Sequence, residues 1–288
     1  MNNFFIVIPT FNDWKSLNKL LFSINKNIKG IRGKFRIIVI NDNSPEKTKL
    51  KIAGLSNIIN IKILNLKKNI GSQKAIYVGL KYVEKYNYKS IIAVMDSDGE
   101  DDPFKLKKLI NLAFQKKNYI FIAYRSKRHE HFFLQFLNRI RLIITFFLTG
   151  KYINCGNFSA FSSDNLKKIF FNSNLWFAYS SGILKNCKKI IFIDIEKRNR
   201  YYGPSKVKFK FLLDHTIKIV CVFKKEVLIR SFFITSLIIF ILKNEDYNVK
   251  LIIFFLILNI FSYIYYKINN LNFNCLNLIK NIKNIKGN

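Results

Sequence analysis

Short apolar runs stopped by Pro, Asn or Asp alternate, over the first 125 residues, with stretches whose apolar side chains recur every third or fourth position. Residues 4–8 (FFIVI) end at Pro9, and residues 35–40 end in Asn41, Asp42, Asn43, Ser44 and Pro45; residues 58–64, 91–95 and 119–123 repeat the theme. Uninterrupted runs of this kind suit strands buried on both faces. Between them, helical spacing marks Leu17, Leu20, Leu21 and Ile24, then Ala75, Val78, Gly79, Tyr82 and Val83, then residues 103–116. Strands alternating with helices of ten to fifteen residues predict an α/β domain built on a mostly parallel, doubly wound sheet. Ligands of such sheets bind beyond the carboxyl ends of the strands. Loops after the first, second and fourth strands would therefore bring Asp13, Asp42, Asp96 and Asp98 to one crevice.

The fourth of these strands ends in MDSDGEDDP, with five carboxylates (Asp96, Asp98, Glu100, Asp101, Asp102) in a chain of only 17 acidic residues against 49 basic ones. Like charges crowded at the end of a buried strand raise one another's pKa unless a hard divalent cation takes them as ligands, and Mg²⁺ or Mn²⁺ would serve. The alternative is a solvated turn capping the helix that begins at Pro103, a role that suits Asp101 and Asp102.

Farther on the pattern changes. Arg125 and Arg128 follow the fifth strand, and Arg139 and Arg141 interrupt an aromatic, amphipathic helix at about 132–148. Such a helix either lies at a membrane interface or packs in a core with its arginines snorkelling out. A strand at 190–195 leads to RYYGPSK (200–206), a loop with Gly, Pro and two cations that can close over phosphates. Two long apolar segments, about 227–242 and 249–266, predict a two-helix membrane hairpin. Lys224, Lys225 and Arg230 before it, and Lys267, Lys280, Lys283 and Lys286 after it, would both face the cytoplasm. The predicted organisation is a catalytic domain over 1–225, a hairpin over 227–266 and a basic cytoplasmic tail over 267–288.

Composition changes this picture little. The formal net charge of +32 points to an anionic partner, but it is spread along a chain saturated with Lys, Asn, Ile and Phe, and no basic-aromatic motif accompanies it, so nucleic acid is not expected as a partner. The four cysteines show neither Cys-x-x-Cys nor Cys/His spacing and read as buried thiols in a reducing compartment. The first apolar run is too short for a secretory signal, so the bulk of the chain is expected in the cytoplasm.

Four motifs in order, IVIPTFND, VINDNSP, LKKNIGSQKAIYVGL and MDSDGEDDP, resemble the nucleotide-sugar domain of inverting family-two glycosyltransferases of the GT-A fold. More narrowly, they resemble the branch of dolichyl-phosphate mannose synthases and bacterial polyprenyl-phosphate glucosyltransferases. The resemblance implies that Pro9, Thr10, Asp13 and Asp42 hold base and ribose, that Asp96 lies near the sugar nucleotide, and that Asp98 and Glu100 bind the metal with the diphosphate. Glu100 stands where the family has Gln, adding a negative charge. Arg125 and Arg139 would meet phosphates. Arg200, Gly203, Ser205 and Lys206 match the family's Arg-x-x-Gly-x-Ser-Lys, with Ser205 on the donor side. At 155–160 the family has a Gly-Phe-Arg-like strand, whereas here Asn157 and Phe158 follow Gly156 and the Arg is absent.

The implied activity is metal-dependent transfer of a sugar, with inversion, from a nucleoside-diphosphate sugar to a polyprenyl phosphate, by a multi-pass protein of the cytoplasmic membrane whose catalytic domain faces the cytoplasm. A polyprenyl phosphate is already ionised and needs no general base. A glycan-extending enzyme with a hydroxyl acceptor would need one, with Asp101 or Asp102 as the candidate. A non-catalytic, membrane-anchored sugar-nucleotide-binding module is the alternative from another class. Oligomeric state, donor sugar and base are left open.

Overall fold

The computed structural model describes residues 2–47, 49–125, 132–203, 209–242, 245–269 and 274–286. These fall into two compact units: residues 1–129, 155–206 and 272–288 in the first, and 130–154 and 207–271 in the second.

The first unit is a single eight-stranded sheet. Its strands are β1 (Asn3–Thr10), β2 (Lys34–Asn41), β3 (Ile58–Leu66), β4 (Ile91–Val94), β5 (Ile120–Arg125), β6 (Cys155–Ser162), β7 (Ile190–Ile195) and β8 (Ile279–Lys286), in the order β7-β5-β6-β4-β1-β2-β3-β8. β4, β1, β2 and β3 are mutually parallel, β5 is parallel to β7, and β6 and β8 run against their neighbours. The four strands of the parallel block are the apolar runs of the sequence; β1, β2 and β3 extend a residue or two beyond them, and β4 ends one residue short, before Met95.

Helices α1 (Trp14–Asn27) and α3 (Pro103–Gln115) cover one face, burying Leu17, Leu20, Leu21 and Ile24 and Leu106, Leu109 and Ile110 against Phe4, Ile6, Ile8, Ile37 and Val39. Helix α2 (Ser72–Glu84) covers the other, and Gly79 lets it approach: a Cβ there would stand 2.6 Å from Ile40 Cδ1 and 2.8 Å from Val7 Cγ1. After β6 come three short helices, α5 (Leu166–Ile169), α6 (Asn174–Phe177) and α7 (Tyr179–Asn186), of which α6 and α7 pack beside α2. The intervening α4 (Phe132–Thr149) belongs to the second unit.

Two features differ from the expected organisation. The tail expected as a basic cytoplasmic segment over 267–288 contains β8, which closes the sheet against β3. Its repeat IKNIKNIK has apolar residues every third position, a spacing that signals no strand; pairing to an open edge decides it. Asn41 Nδ2 donates to Asn65 Oδ1 at 2.8 Å and Asn65 Nδ2 to Asn281 Oδ1 at 2.7 Å, so an amide ladder crosses β2, β3 and β8. Nor does one unit run through 1–225: α4 and α8 (Phe209–Val222) join α9 (Lys224–Leu242) and α10 (Glu245–Asn269) in the second unit, because their apolar faces pack on one another.

Within that second unit α9 and α10 lie side by side, Asn259 Nδ2 of α10 donating to Ser231 Oγ of α9 at 2.9 Å. Among the described residues one helix, Tyr247–Asn269, is long and apolar enough to cross a membrane. Of the two segments expected to form a membrane hairpin, only that of α10 is long and apolar enough to span, among the described residues.

Candidate functional site

The acidic loop after β4 sits at the carboxyl end of the parallel strands, and its geometry is dictated by its own sequence. Gly99 takes φ +86°, open to Gly at little cost, and a Cβ there would run into the Tyr201 ring. Asp98 Oδ1 accepts from Glu100 N at 3.0 Å, and buried Asp101 folds back to accept from Asp96 N through Oδ2 at 2.9 Å. Asp102 caps α3 by accepting from Phe104 N at 3.1 Å, ahead of Pro103 at the first helical position. Asp101 and Asp102 therefore do the capping and turn-forming work the sequence allowed them. As bases for a hydroxyl acceptor both are already engaged.

A strap of residues 196–203, following β7, lies across this loop. Two backbone bonds dock it, Arg198 N to Glu100 O and Tyr201 N to Asp98 O, each 2.9 Å. Three cations then meet the carboxylates. Arg200 forks between Asp98 Oδ2 and Asp13 Oδ1, both at 2.8 Å; Lys197 Nζ lies 2.8 Å from Glu100 Oε2; and Arg198 pairs with Asp102 at 3.2 Å. The Lys197 side chain is 5% exposed and that of Arg200 10%, so the first two contacts are largely shielded from solvent screening. The extra charge that Glu100 brings in place of Gln is matched by Lys197.

The other predicted donor contacts distribute as follows. Asp42 lies at the end of β2, its N–H donating to Thr10 O at 2.9 Å, and its two oxygens accept from Ile70 N and Gly71 N, each at 2.8 Å. It thereby shapes the loop leading into α2. Burial raises its pKa, and the two amide bonds offset part of that rise. A carboxyl whose folded pKa lies above its unfolded value contributes stability that is lost as pH rises through the folded pKa. We therefore expect Asp42 to lower urea midpoints as pH rises above the ordinary carboxylate range, and Asp42→Asn to flatten that slope; an unchanged slope would assign it elsewhere. Pro9 and Thr10 end β1, and Thr10 is buried. Arg125 ends β5. Its side chain, together with Arg128, Ser205 and Lys206, lies outside the described residues. Arg139 is an exposed residue of α4 in the second unit.

Sequence reasoning did not single out Gln73 and Asn157. Asn157 on β6 donates to Asp96 Oδ1 at 2.9 Å and accepts from Gln73 Nε2 at 3.1 Å. Their signal was present only as a departure, Asn157 falling where the resembling family's strand is altered.

Three buried polar atoms of the β1 end and the strap, Thr10 Oγ1, Asn12 Oδ1 and Arg200 Nε, have no hydrogen-bond partner among the described residues. Buried polar groups are ordinarily satisfied, so these three stand out beside the acidic loop. Asp98 and Glu100 supply the hard oxygens Mg²⁺ or Mn²⁺ prefers, and an ion shared with substrate phosphates needs only one or two carboxylates. Among the described residues no group of three or more His, Cys, Asp and Glu converges. The pair fits such an ion once the strap cations yield their oxygens.

Sheet order and the carboxylate loop after β4 give the first unit the architecture of a GT-A domain. The chain belongs to glycosyl transferase family 2, whose model matches residues 5–172. It is 30% identical over 105 residues to a dolichol-phosphate mannosyltransferase of Pyrococcus furiosus, covering 36% of this chain and 28% of that one. To an undecaprenyl-phosphate 4-deoxy-4-formamido-L-arabinose transferase of Proteus mirabilis it is 22% identical over 220 residues, 74% of this chain and 65% of the other. The matches to the first three curated relatives span 28% to 40% of those proteins' lengths. Among solved structures, glucosyl-3-phosphoglycerate synthase of Mycobacterium tuberculosis with phosphoglyceric acid superposes with a TM-score of 0.54 at 12% identity, over 78% of this chain and 80% of that one. S. aureus TarS 1-349 with UDP-GlcNAc gives 0.50 at 18% identity, over 79% and 67%. Both express the same fold.

Proposed function

We propose that this protein transfers a sugar from a nucleoside-diphosphate sugar to a polyprenyl phosphate, with inversion at the anomeric carbon. The observation that carries the donor half is the acidic loop at the carboxyl end of β4 with the Asp13–Arg200–Asp98 bridge over it, next to the buried, unpartnered Thr10 Oγ1, Asn12 Oδ1 and Arg200 Nε. Thr10, Asn12 and Asp13 would meet the nucleoside, Asp96 the sugar, and Arg200 the diphosphate. Held by Asp98 and Glu100, Mg²⁺ or Mn²⁺ would screen the diphosphate charge as it departs.

For the acceptor half, the supporting facts are the lipid-phosphate substrates in the names of the Pyrococcus and Proteus relatives and the apolar helix Tyr247–Asn269. An ionised phosphate acceptor needs no base, and both carboxylates available as a base, Asp101 and Asp102, are engaged in turn and cap.

Connectivity supports a membrane-associated topology of even parity. The strap before α8 and β8 after α10 both belong to the first unit, hence to one side of any bilayer. On this reading α8 to α10 would cross an even number of times. Lys224, Lys225 and Arg230 at one end and Lys267 at the other favour the cytoplasmic side.

The test is transfer of radiolabelled sugar from a panel of UDP- and GDP-sugars to polyprenyl phosphate in membranes, with Mn²⁺ or with EDTA. Label entering an organic-extractable lipid, and lost with EDTA, is the expected outcome. Metal-dependent nucleotide binding with no lipid product from any donor would overturn the acceptor assignment.

A further inference from the structure

A chain of side-chain amides enters the crevice opposite the strap. Tyr179 N donates to Gln73 Oε1 at 2.7 Å, Gln73 Nε2 to Asn157 Oδ1 at 3.1 Å, and Asn157 Nδ2 to Asp96 Oδ1 at 2.9 Å. Its direction is fixed at both ends. A backbone N–H can only donate, so Gln73 must turn its oxygen to Tyr179 and its NH₂ to Asn157; Asn157 must then turn its NH₂ to Asp96, and an ionised carboxylate can only accept. Neither amide can flip without setting donor against donor or acceptor against acceptor. Asn157 is 8% exposed and Tyr179 is fully buried, its hydroxyl bonded to Ser159 Oγ at 2.7 Å, so the far end is anchored in the core.

Strand order separates the relay from the other site residues. Asp96 follows β4 and Asn157 lies on β6, whereas Thr10 ends β1, Asn12 and Asp13 follow it and Asp42 follows β2, on the other side of β4. The crevice thus has two ends: one carrying the orphaned Thr10 and Asn12 oxygens, the other ending in a carboxylate with a preset rotamer.

We propose that Gln73 and Asn157 are positioning residues that aim Asp96 at the sugar of the donor, so that they govern affinity for the sugar moiety and leave the nucleoside diphosphate untouched. The inference rests on the reading of the crevice as a sugar-nucleotide site. Within that reading, donor-sugar selectivity is set by a relay running from α7 through α2 and β6.

Calorimetric titration of the full-length protein with UDP, UDP-glucose, GDP and GDP-mannose, in Mg²⁺, tests it. Asn157→Asp places a carboxylate against Asp96. Gln73→Glu, at a half-buried position one link farther away, forces Asn157 to flip its oxygen toward Asp96 and serves as the second variant should the first fold poorly. Each is expected to weaken the sugar nucleotide by roughly 10-fold, the scale of one charge-assisted hydrogen bond, and to leave the matching nucleoside diphosphate within about twofold of wild type, well inside that margin. The polarity argument adds a rescue: Asp96→Asn should weaken sugar-nucleotide binding less in a Gln73→Glu background than in wild type, because an amide can donate to the flipped Asn157. Equal weakening of both ligands, or no change in either, overturns the positioning role while the site reading stands. A wild-type protein that binds none of the four probes overturns the site reading, and this inference with it.

Discussion

Asp98→Ala is expected to lower sugar transfer at least ~100-fold, the scale of removing one preorganised electrostatic group from a reacting phosphoryl or acyl centre. Asp98 carries three contacts: its carboxylate meets Arg200 Nη1 and Glu100 N, and its carbonyl accepts from Tyr201 N. The carbonyl survives truncation, as does the second backbone bond from Arg198 to Glu100. The strap should therefore stay docked, and lost activity would report on the carboxylate. Asp98→Asn separates charge from shape. Its amide oxygen still accepts from Glu100 N, but it neither neutralises Arg200 nor offers an anionic ligand to a divalent ion. Transfer should be as low as in Asp98→Ala, with a melting temperature nearer wild type. Near-wild-type turnover in Asp98→Asn would take the negative charge at this position out of the mechanism. The measurement is an initial rate of label entering lipid, read beside a thermal melt of the same preparation.

Much of the sheet was legible because parallel strands buried on both faces carry dense apolar runs, and β1 to β4 do: Ile6, Val7, Ile38, Val39, Ile63, Ile92 and Val94 are fully buried. Helix starts were legible where local chemistry is self-contained, as at Asp102 and Pro103. What could not be read depends on partners distant in sequence. β8 is a strand only because β3 offers an edge 216 residues away, seen in the Asn65–Asn281 bond. Arg200 stood out in RYYGPSK, but Lys197 and Arg198 look like an ordinary basic stretch until the fold lays them over the acidic loop. The crowding of Asp98 and Glu100 argued for a compensating cation, and the chain supplies compensation of its own in Arg200 and Lys197. Asp13, Asp42, Asp96 and Asp98 do all follow the carboxyl ends of strands, as expected. Asp13 and Asp98 share Arg200, Asp42 shapes the loop into α2, and Asp96 accepts from Asn157.

That self-neutralised state makes Arg200→Ala the most informative change in the donor-free protein. Arg200 lies between Asp13 and Asp98, whose side chains are 15% and 14% exposed. Removing one partner of a largely buried ion pair leaves uncompensated charge, and here it leaves two carboxylates that no longer share a counter-ion, so a loss of about 3 kcal/mol of stability is expected. Arg200→Lys should fall between, since a single ammonium cannot fork to both acids. The same change should make the protein more responsive to divalent ions. In wild type an arriving ion must displace a guanidinium from Asp98 Oδ2; in Arg200→Ala it meets an oxygen already released, and binding to the native state alone raises stability by mass action. The expected result is a lower melting temperature without metal and a larger rise on adding Mn²⁺ than wild type shows, while transfer activity falls because the diphosphate has lost its cation. The two effects pull apart the roles of the bridge: destabilisation reports on the counter-ion, and the enlarged metal response reports on competition for Asp98. A variant that melts like wild type and gains no more from Mn²⁺ would mean that the bridge contributes little and that the metal's ligands lie elsewhere. The strap would then be a cover over the acidic loop rather than the cation that holds its charge until donor and metal arrive.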